Sequence, residues 1–343
     1  MLQAMKAPFP WFGGKSRTAA EVWARFGNVP NYVEPFFGSG AVLLGRPYVP
    51  GIETVNDKDG FVCNFWRALR AGVEGVAEYA DWPVNENDLH ARHAWLKPQR
   101  DTLSARLEGD PDYFDVKIAG WWVWGISCWI GAGFCTNSGP WHIVDGQLVL
   151  GDAGNGVARK RAHLGNAGKG GARKLVHLGN AGKGVARKLV QLGNAGNGIT
   201  RQSALAEYLN TLSSRLRFVR VCCGGWERIL GPAPTEHNGI TGIFLDPPYG
   251  KDADRDMGIY SEDSGTVAGD VRTWAIAHGN NPMLRIALCG YESEHEMPPE
   301  WDCYHWSAQG GYSSIGNGAG KDNRHRERIW FSPACLQTRL FCS

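Results

Sequence analysis

Short apolar runs and longer amphipathic stretches alternate along this chain. Tyr32-Val33-Glu34-Pro35-Phe36 is a run of strand character that breaks into the glycine turn Phe37-Gly38-Ser39-Gly40, and a helix starts over 41–44. Ile52-Glu53-Thr54-Val55-Asn56-Asp57 repeats the pattern, with a helix over 60–70 behind it. Further apolar runs at 218–222, 242–245 and 284–289 read as buried strands, and Arg324-His325-Arg326-Glu327-Arg328-Ile329-Trp330-Phe331 ends as another. Helical periodicity covers 18–26, 204–216 and 271–278, and 74–115 reads as exposed helix. Strand, turn, helix, strand, helix predicts an α/β fold with a doubly wound, mostly parallel sheet and a final antiparallel strand.

The pattern breaks between 118 and 202. From Ile118 to Val144 there is no Asp, Glu, Lys or Arg. That length suits a membrane span. Gly120, Gly125, Gly131, Gly133, Gly139 and Pro140 interrupt it, and a span would put two halves of the chain on opposite sides of a bilayer. A buried tryptophan-rich helix over 118–134 is the expectation, with Trp121, Trp122, Trp124 and Trp129 read as core packing or, alternatively, as a surface for stacking bases. An internal repeat of period 14 follows: Val149-Leu150-Gly151-Asp152-Ala153-Gly154, then His163, His177 and Gln191 each opening a similar unit. Glycine-rich and free of aromatic residues, these units build little core. They read as a basic arm on DNA phosphates or as a duplication tolerated in a loop. One domain is therefore expected from 1–117 and 203–343, interrupted by 118–202.

Charge sharpens this division. The 343 residues carry a formal charge of +2, yet 149–202 holds ten Lys or Arg and one Asp. The segment is +9 and the remainder −7. An acidic body with a basic segment points to a polyanionic partner. Hydrophobic residues make up 43% of the chain, enough for a sizeable core. The nine cysteines include no Cys-x-x-Cys pair, so neither a disulfide framework nor a zinc site is read. His142, His163 and His177 lack partners at metal spacing. With no signal-peptide pattern over 1–10, the cytoplasm is the expected location.

Two elements carry candidate chemistry. Gly242-Ile243-Phe244-Leu245-Asp246-Pro247-Pro248-Tyr249 is a strand that ends in a carboxylate, two prolines and a ring. Each proline lacks an N–H and holds the residue before it extended. Asp246, a neighbouring carbonyl and Tyr249 are thus presented together, which suits a planar amino-heterocycle such as adenine or cytosine. The second element, Glu34-Pro35-Phe36-Phe37-Gly38-Ser39-Gly40, lies between a strand and a helix, where glycines let backbone approach a ligand. Asp57 ends the next strand, 17 residues past Gly40, a spacing that suits a carboxylate on ribose hydroxyls. No Gly-x-x-x-x-Gly-Lys-Ser/Thr loop is present, so ATP hydrolysis is not suggested.

Together with Trp11-Phe12-Gly13-Gly14-Lys15, and in this order, these motifs resemble the Dam-like DNA adenine methyltransferases, the α group of amino-methyltransferases. The resemblance covers most of 8–135 and 203–332. It implies a Rossmann-like methyltransferase domain dependent on S-adenosyl-L-methionine, with 118–202 as an inserted target-recognition region. It implies that Trp11, Lys15, Glu34, Phe36, Gly38 and Gly40 contact that cofactor, with Asp57 on its ribose and Asp246 beside it. Asp246, Pro247, Pro248 and Tyr249 would be the catalytic element. The stretch 128–134 is similar to the family's segment before its DNA-reading hairpin. The family often has an acidic residue, able to bind the cofactor adenine, where Gly225 stands in Gly224-Gly225-Trp226.

The implied reaction methylates the exocyclic amino group of adenine in duplex DNA. Adenine's amino lone pair is delocalised into the ring, and hydrogen bonds to Asp246 and an adjacent carbonyl would localise it. A stacked base cannot reach such a pocket, so base flipping onto Tyr249 is implied. Arg324 and Arg326, with Arg328, alternate on one face and are candidate phosphate contacts, as are Arg173, Lys174, Arg187 and Lys188 of the repeat. A solvated edge face is the alternative for the strand arginines. No metal, no membrane and a monomer are expected, and a phage-like or other mobile origin is hinted at by the repeats. Two other functions remain open: an inactive DNA-binding homologue, which Gly225 would favour, and a cytosine amino-methyltransferase.

Overall fold

The computed structural model describes residues 4–11, 14–129, 134–136, 141–144, 147–150, 201–248, 267–292, 294–306 and 327–337. In chain order its elements are α1 (Ala19–Phe26), β1 (Asn31–Glu34), α2 (Ala41–Leu44), β2 (Ile52–Asp57), α3 (Gly60–Ala71), α4 (Val73–Ala80), α5 (Glu86–Leu96), α6 (Arg100–Gly109), α7 (Val116–Cys128), β3 (Trp141–Val144) and β4 (Gln147–Leu150). Then follow α8 (Arg201–Leu216), β5 (Val219–Cys223), α9 (Pro232–Thr235), β6 (Thr241–Leu245), α10 (Val267–His278), β7 (Leu284–Tyr291), β8 (Asp302–His305) and β9 (Glu327–Phe331).

Seven strands form one sheet in the order β5-β2-β1-β6-β7-β9-β8. The first four pairings are parallel, and β9 runs antiparallel to both β7 and β8. The expected α/β class, parallel core and antiparallel last strand are therefore present. β1, β6 and β9 are buried at every position, as strands covered on both faces must be. Side chains alternate between two cores. Tyr32, Phe244, Ala287, Cys289, Ile329 and Phe331 join one core with residues of α1, α3, α4, α7 and α8. Val33, Ile243, Leu245, Ile286, Leu288 and Trp330 join the other, against Val271 and Ala275 of α10.

The tryptophan-rich helix forms but is shorter than expected. The Asp115 carboxylate caps it by accepting from the Ile118 N–H at 2.8 Å, and Trp129 already has extended backbone. Trp122 and Trp124 are fully buried, and truncating such side chains costs roughly 3–5 kcal/mol. They are core rather than a base-stacking surface. Among the described residues, no helix is long and apolar enough to cross a membrane.

The stretch read as exposed helix is in fact half core. Val76, Ala77, Ala80, Leu96, Leu103 and Leu107 are buried. Arg92 is buried too, with its guanidinium 4.3 Å from the Trp124 ring and 5.0 Å from those of Trp82 and Trp121. Cation–π contact lets a charged side chain sit where sequence polarity predicts water. β3 pairs with β4 as a separate antiparallel hairpin, an element that the hydrophobic pattern alone does not predict. The repeat region 151–200 lies outside the described residues, so Arg173, Lys174, Arg187 and Lys188 do as well.

Candidate functional site

Strand order reverses between β1 and β6: the chain moves from β1 outward through β2 and β5, then returns to β6 on β1's other side. In open α/β sheets this switch point leaves a crevice beyond the strands' C-terminal ends, where ligands bind. The loop after Glu34 and the segment starting at Asp246 both emerge there.

Backbone geometry shapes the first wall. Gly38 and Gly40 have φ of 46° and 68°, in the region that favours glycine. A Cβ on Gly38 would stand 2.4 Å from Nε1 of Trp11, so the indole lies directly on this glycine. Behind Trp11, Phe9 packs edge-on at 5.8 Å between ring centres. The Gly38 N–H donates to Oδ2 of Asp57 at 2.8 Å, and the Asp59 N–H donates to its Oδ1 at 2.9 Å. Burial pushes the Asp57 carboxyl up to about 7, helped by the Asp59 charge and opposed by these backbone donors. The Phe37 N–H donates to Asn56 O, and the Asn56 amide donates to Pro35 O and Gly224 O at 3.2 and 2.9 Å. Asn56 thus ties together the loops that end β1 and β5.

Charge shapes the second wall. Asp246 directly follows β6, and its Oδ1 lies 2.9 Å from Nζ of Lys15. The Lys15 side chain is 3% exposed, and that of Asp246 is 20% exposed. A third group, Glu327 at the start of β9, has Oε2 3.9 Å from the same Nζ. Burial by itself disfavours the Lys15 ammonium, but Asp246 and Glu327 offset this and raise its pKa above the ordinary lysine value. Burial raises Glu327, and the Asp246 charge adds to it against the pull of Lys15. Glu34, buried at the end of β1, accepts from the Tyr32 hydroxyl at 2.8 Å; burial above all shifts its carboxyl well upward. Cys289 is close to this cluster, but burial and the neighbouring carboxylates keep it a thiol rather than a nucleophile.

Two half-buried aromatic rings, Phe36 and Trp226, stand 6.5 Å apart at 28° where β1 and β5 end. Compared with models of known protein families and with curated proteins, the chain matches none. The site therefore stands on its geometry. That geometry brings together Trp11, Lys15, Glu34, Phe36, Gly38, Gly40, Asp57 and Asp246, with Pro247 and Pro248 continuing from Asp246 without regular structure. Lys15 is seated on Asp246.

Tyr249, Arg324 and Arg326 lie outside the described residues. Arg328 is neither a solvated edge group nor an open phosphate contact. β9 lies inside the sheet, and Arg328 is buried with its guanidinium 2.9 Å from Glu292. Sequence reading missed Glu327 and Asn56. A carboxylate two residues before the apolar run Ile329-Trp330-Phe331 was the available signal for the first. Asn56 carried none, because its partners are distant in sequence.

Proposed function

We propose that this protein transfers a methyl group from S-adenosyl-L-methionine to the exocyclic amino group of adenine in duplex DNA. The observation that carries the reading is Asp246: a partly exposed carboxylate at the switch-point crevice, held by a buried lysine, one strand away from the Gly38 loop. The residues of the crevice fit the cofactor. The Asp57 carboxylate and the half-exposed faces of Phe36 and Trp226 suit a nucleoside. The partly exposed Asp246 carboxylate at the opening favours a cation nearby.

Bound there, the cofactor supplies a methyl group on a sulfonium sulfur. The protein's own part is to make the acceptor nitrogen nucleophilic. Asp246 accepts a hydrogen bond from the amino group and so draws its lone pair out of conjugation with the ring. Pro247 has no N–H, so the chain at this point offers carbonyl acceptors without a competing donor. Fixing these acceptors in advance removes reorganisation from the reacting step. The base reaches them only out of the duplex stack.

Incubation with duplex DNA and methyl-labelled cofactor, followed by digestion to nucleosides, tests this. Labelled N6-methyl-2′-deoxyadenosine is the expected product. Labelled methylcytosine would move the reading to the other amino-bearing base. DNA binding without any label transfer would leave the inactive DNA-binding homologue instead.

A further inference from the structure

The Lys15 ammonium has two carboxylates within reach, and they differ. Asp246 holds it at 2.9 Å and is partly open to the crevice. Glu327 waits at 3.9 Å, its side chain 8% exposed, and its Oε2 has no hydrogen-bond partner among the described residues. Such a buried, unsatisfied carboxylate oxygen is costly. Nearby, the Trp306 ring centre is 5.7 Å from Lys15 Nζ, and the Trp306 indole N–H is also buried without a partner among the described residues. The Trp306 backbone N–H donates to Glu327 O at 3.4 Å, which fixes this side of the cluster to β9. The ammonium thus has a second seat about one ångström beyond its present reach.

We infer that Glu327 is a positioning residue that receives the Lys15 ammonium when a substrate amino group takes up Asp246. This rests on the methyl-transfer reading. An ammonium on Asp246 weakens that carboxylate as an acceptor and repels the positive charge that develops on the amino nitrogen. Moving the ammonium to Glu327 returns acceptor strength to Asp246 while keeping the ammonium paired with a carboxylate. No bond is made or broken by this movement.

The test uses the full chain, duplex DNA and labelled cofactor. Glu327→Gln keeps the shape but removes the second seat. Its single-turnover rate should fall about tenfold to a hundredfold, the scale of one mispositioned electrostatic group. Affinities for cofactor and DNA should stay within about twofold, a split that a general loss of structure does not produce. Glu327→Asp keeps the charge but sets it back by one methylene, and should give an intermediate rate. A wild-type rate in either variant would overturn the inference, as would equal losses in rate and cofactor affinity. Should the glutamine variant not fold, the aspartate variant decides alone. Absence of transfer by the wild-type protein would overturn the methyl-transfer reading itself, a result distinct from any of these.

Discussion

Two carboxylates stand at strand ends on either side of β1, and they are held in opposite ways. Asp57, at the end of β2, is held by backbone: the N–H groups of Gly38 and Asp59. Asp246, at the end of β6, is held by the Lys15 side chain. Backbone donors are part of the loop and cannot leave, so Asp57 fixes the Gly38 turn and is itself fixed. A lysine ammonium on a four-carbon stem can move. The electrostatics diverge accordingly. Backbone dipoles only partly offset burial at Asp57, whereas a full cation sits beside Asp246. One carboxylate shapes a wall; the other is kept charged at the opening of the crevice.

The largest effect that would break this comparison is in the reaction itself. Asp246→Asn should lower methyl transfer by about 10²–10³-fold, since the amide accepts more weakly and its NH₂ can point at the substrate amino group. Asp57→Asn should act on affinity instead, weakening cofactor binding by about tenfold, near the value of one charge-assisted hydrogen bond. Steady-state assays with separate cofactor titrations distinguish the two. Equal effects on rate from both variants would remove the distinction drawn here.

The next effect is on pH dependence. The Asp57 carboxyl moves from an ordinary 3.8 to about 7 on folding. Between those values the folded chain keeps a proton that the unfolded chain has released. Its contribution to stability is therefore greatest below about pH 4 and is lost as pH rises toward 7. Asp57→Asn should flatten that part of the stability profile, read by denaturant melts across the window. Cofactor affinity should run the other way in the wild type. It should rise with pH toward 7 as Asp57 ionises into an acceptor for hydroxyl groups, and be flat in the variant.

The two walls also differ in how far they could be read from sequence. The Gly38 loop and Asp57 are local grammar: glycine where φ is positive, and a carboxylate at the end of the next apolar run. Asp246-Pro247-Pro248 is equally local. The ion cluster is not, because Lys15, Asp246 and Glu327 come from three distant segments that only the sheet order β1-β6-β7-β9 assembles. Alternation put Arg328 on a common face with Arg324 and Arg326. It could not show that β8, a short strand without periodic pattern, covers that edge and leaves Arg328 buried against Glu292. Polar composition likewise hid the core of α4, α5 and α6, because Arg92 is shielded by three tryptophans.

The smallest effect concerns Gly225, where the resemblance leads one to expect an acidic side chain. A Cβ built on Gly225 would stand 2.6 Å from Oε2 of Glu227. The Glu227 carboxylate thus occupies the space that a side chain at 225 would use. A carboxylate arriving from two residues downstream serves an amino group as well as one from Gly225's own position, provided it ends in the same place. Glu227→Ala should then weaken cofactor binding by about threefold to tenfold, the range for one solvent-exposed hydrogen bond, and leave the rate at saturating cofactor unchanged. Calorimetric titration of cofactor into both proteins measures it. Unchanged affinity would mean that the missing acid at 225 has no replacement. The backbone-held wall would then bind its ligand through Asp57 and the aromatic faces alone.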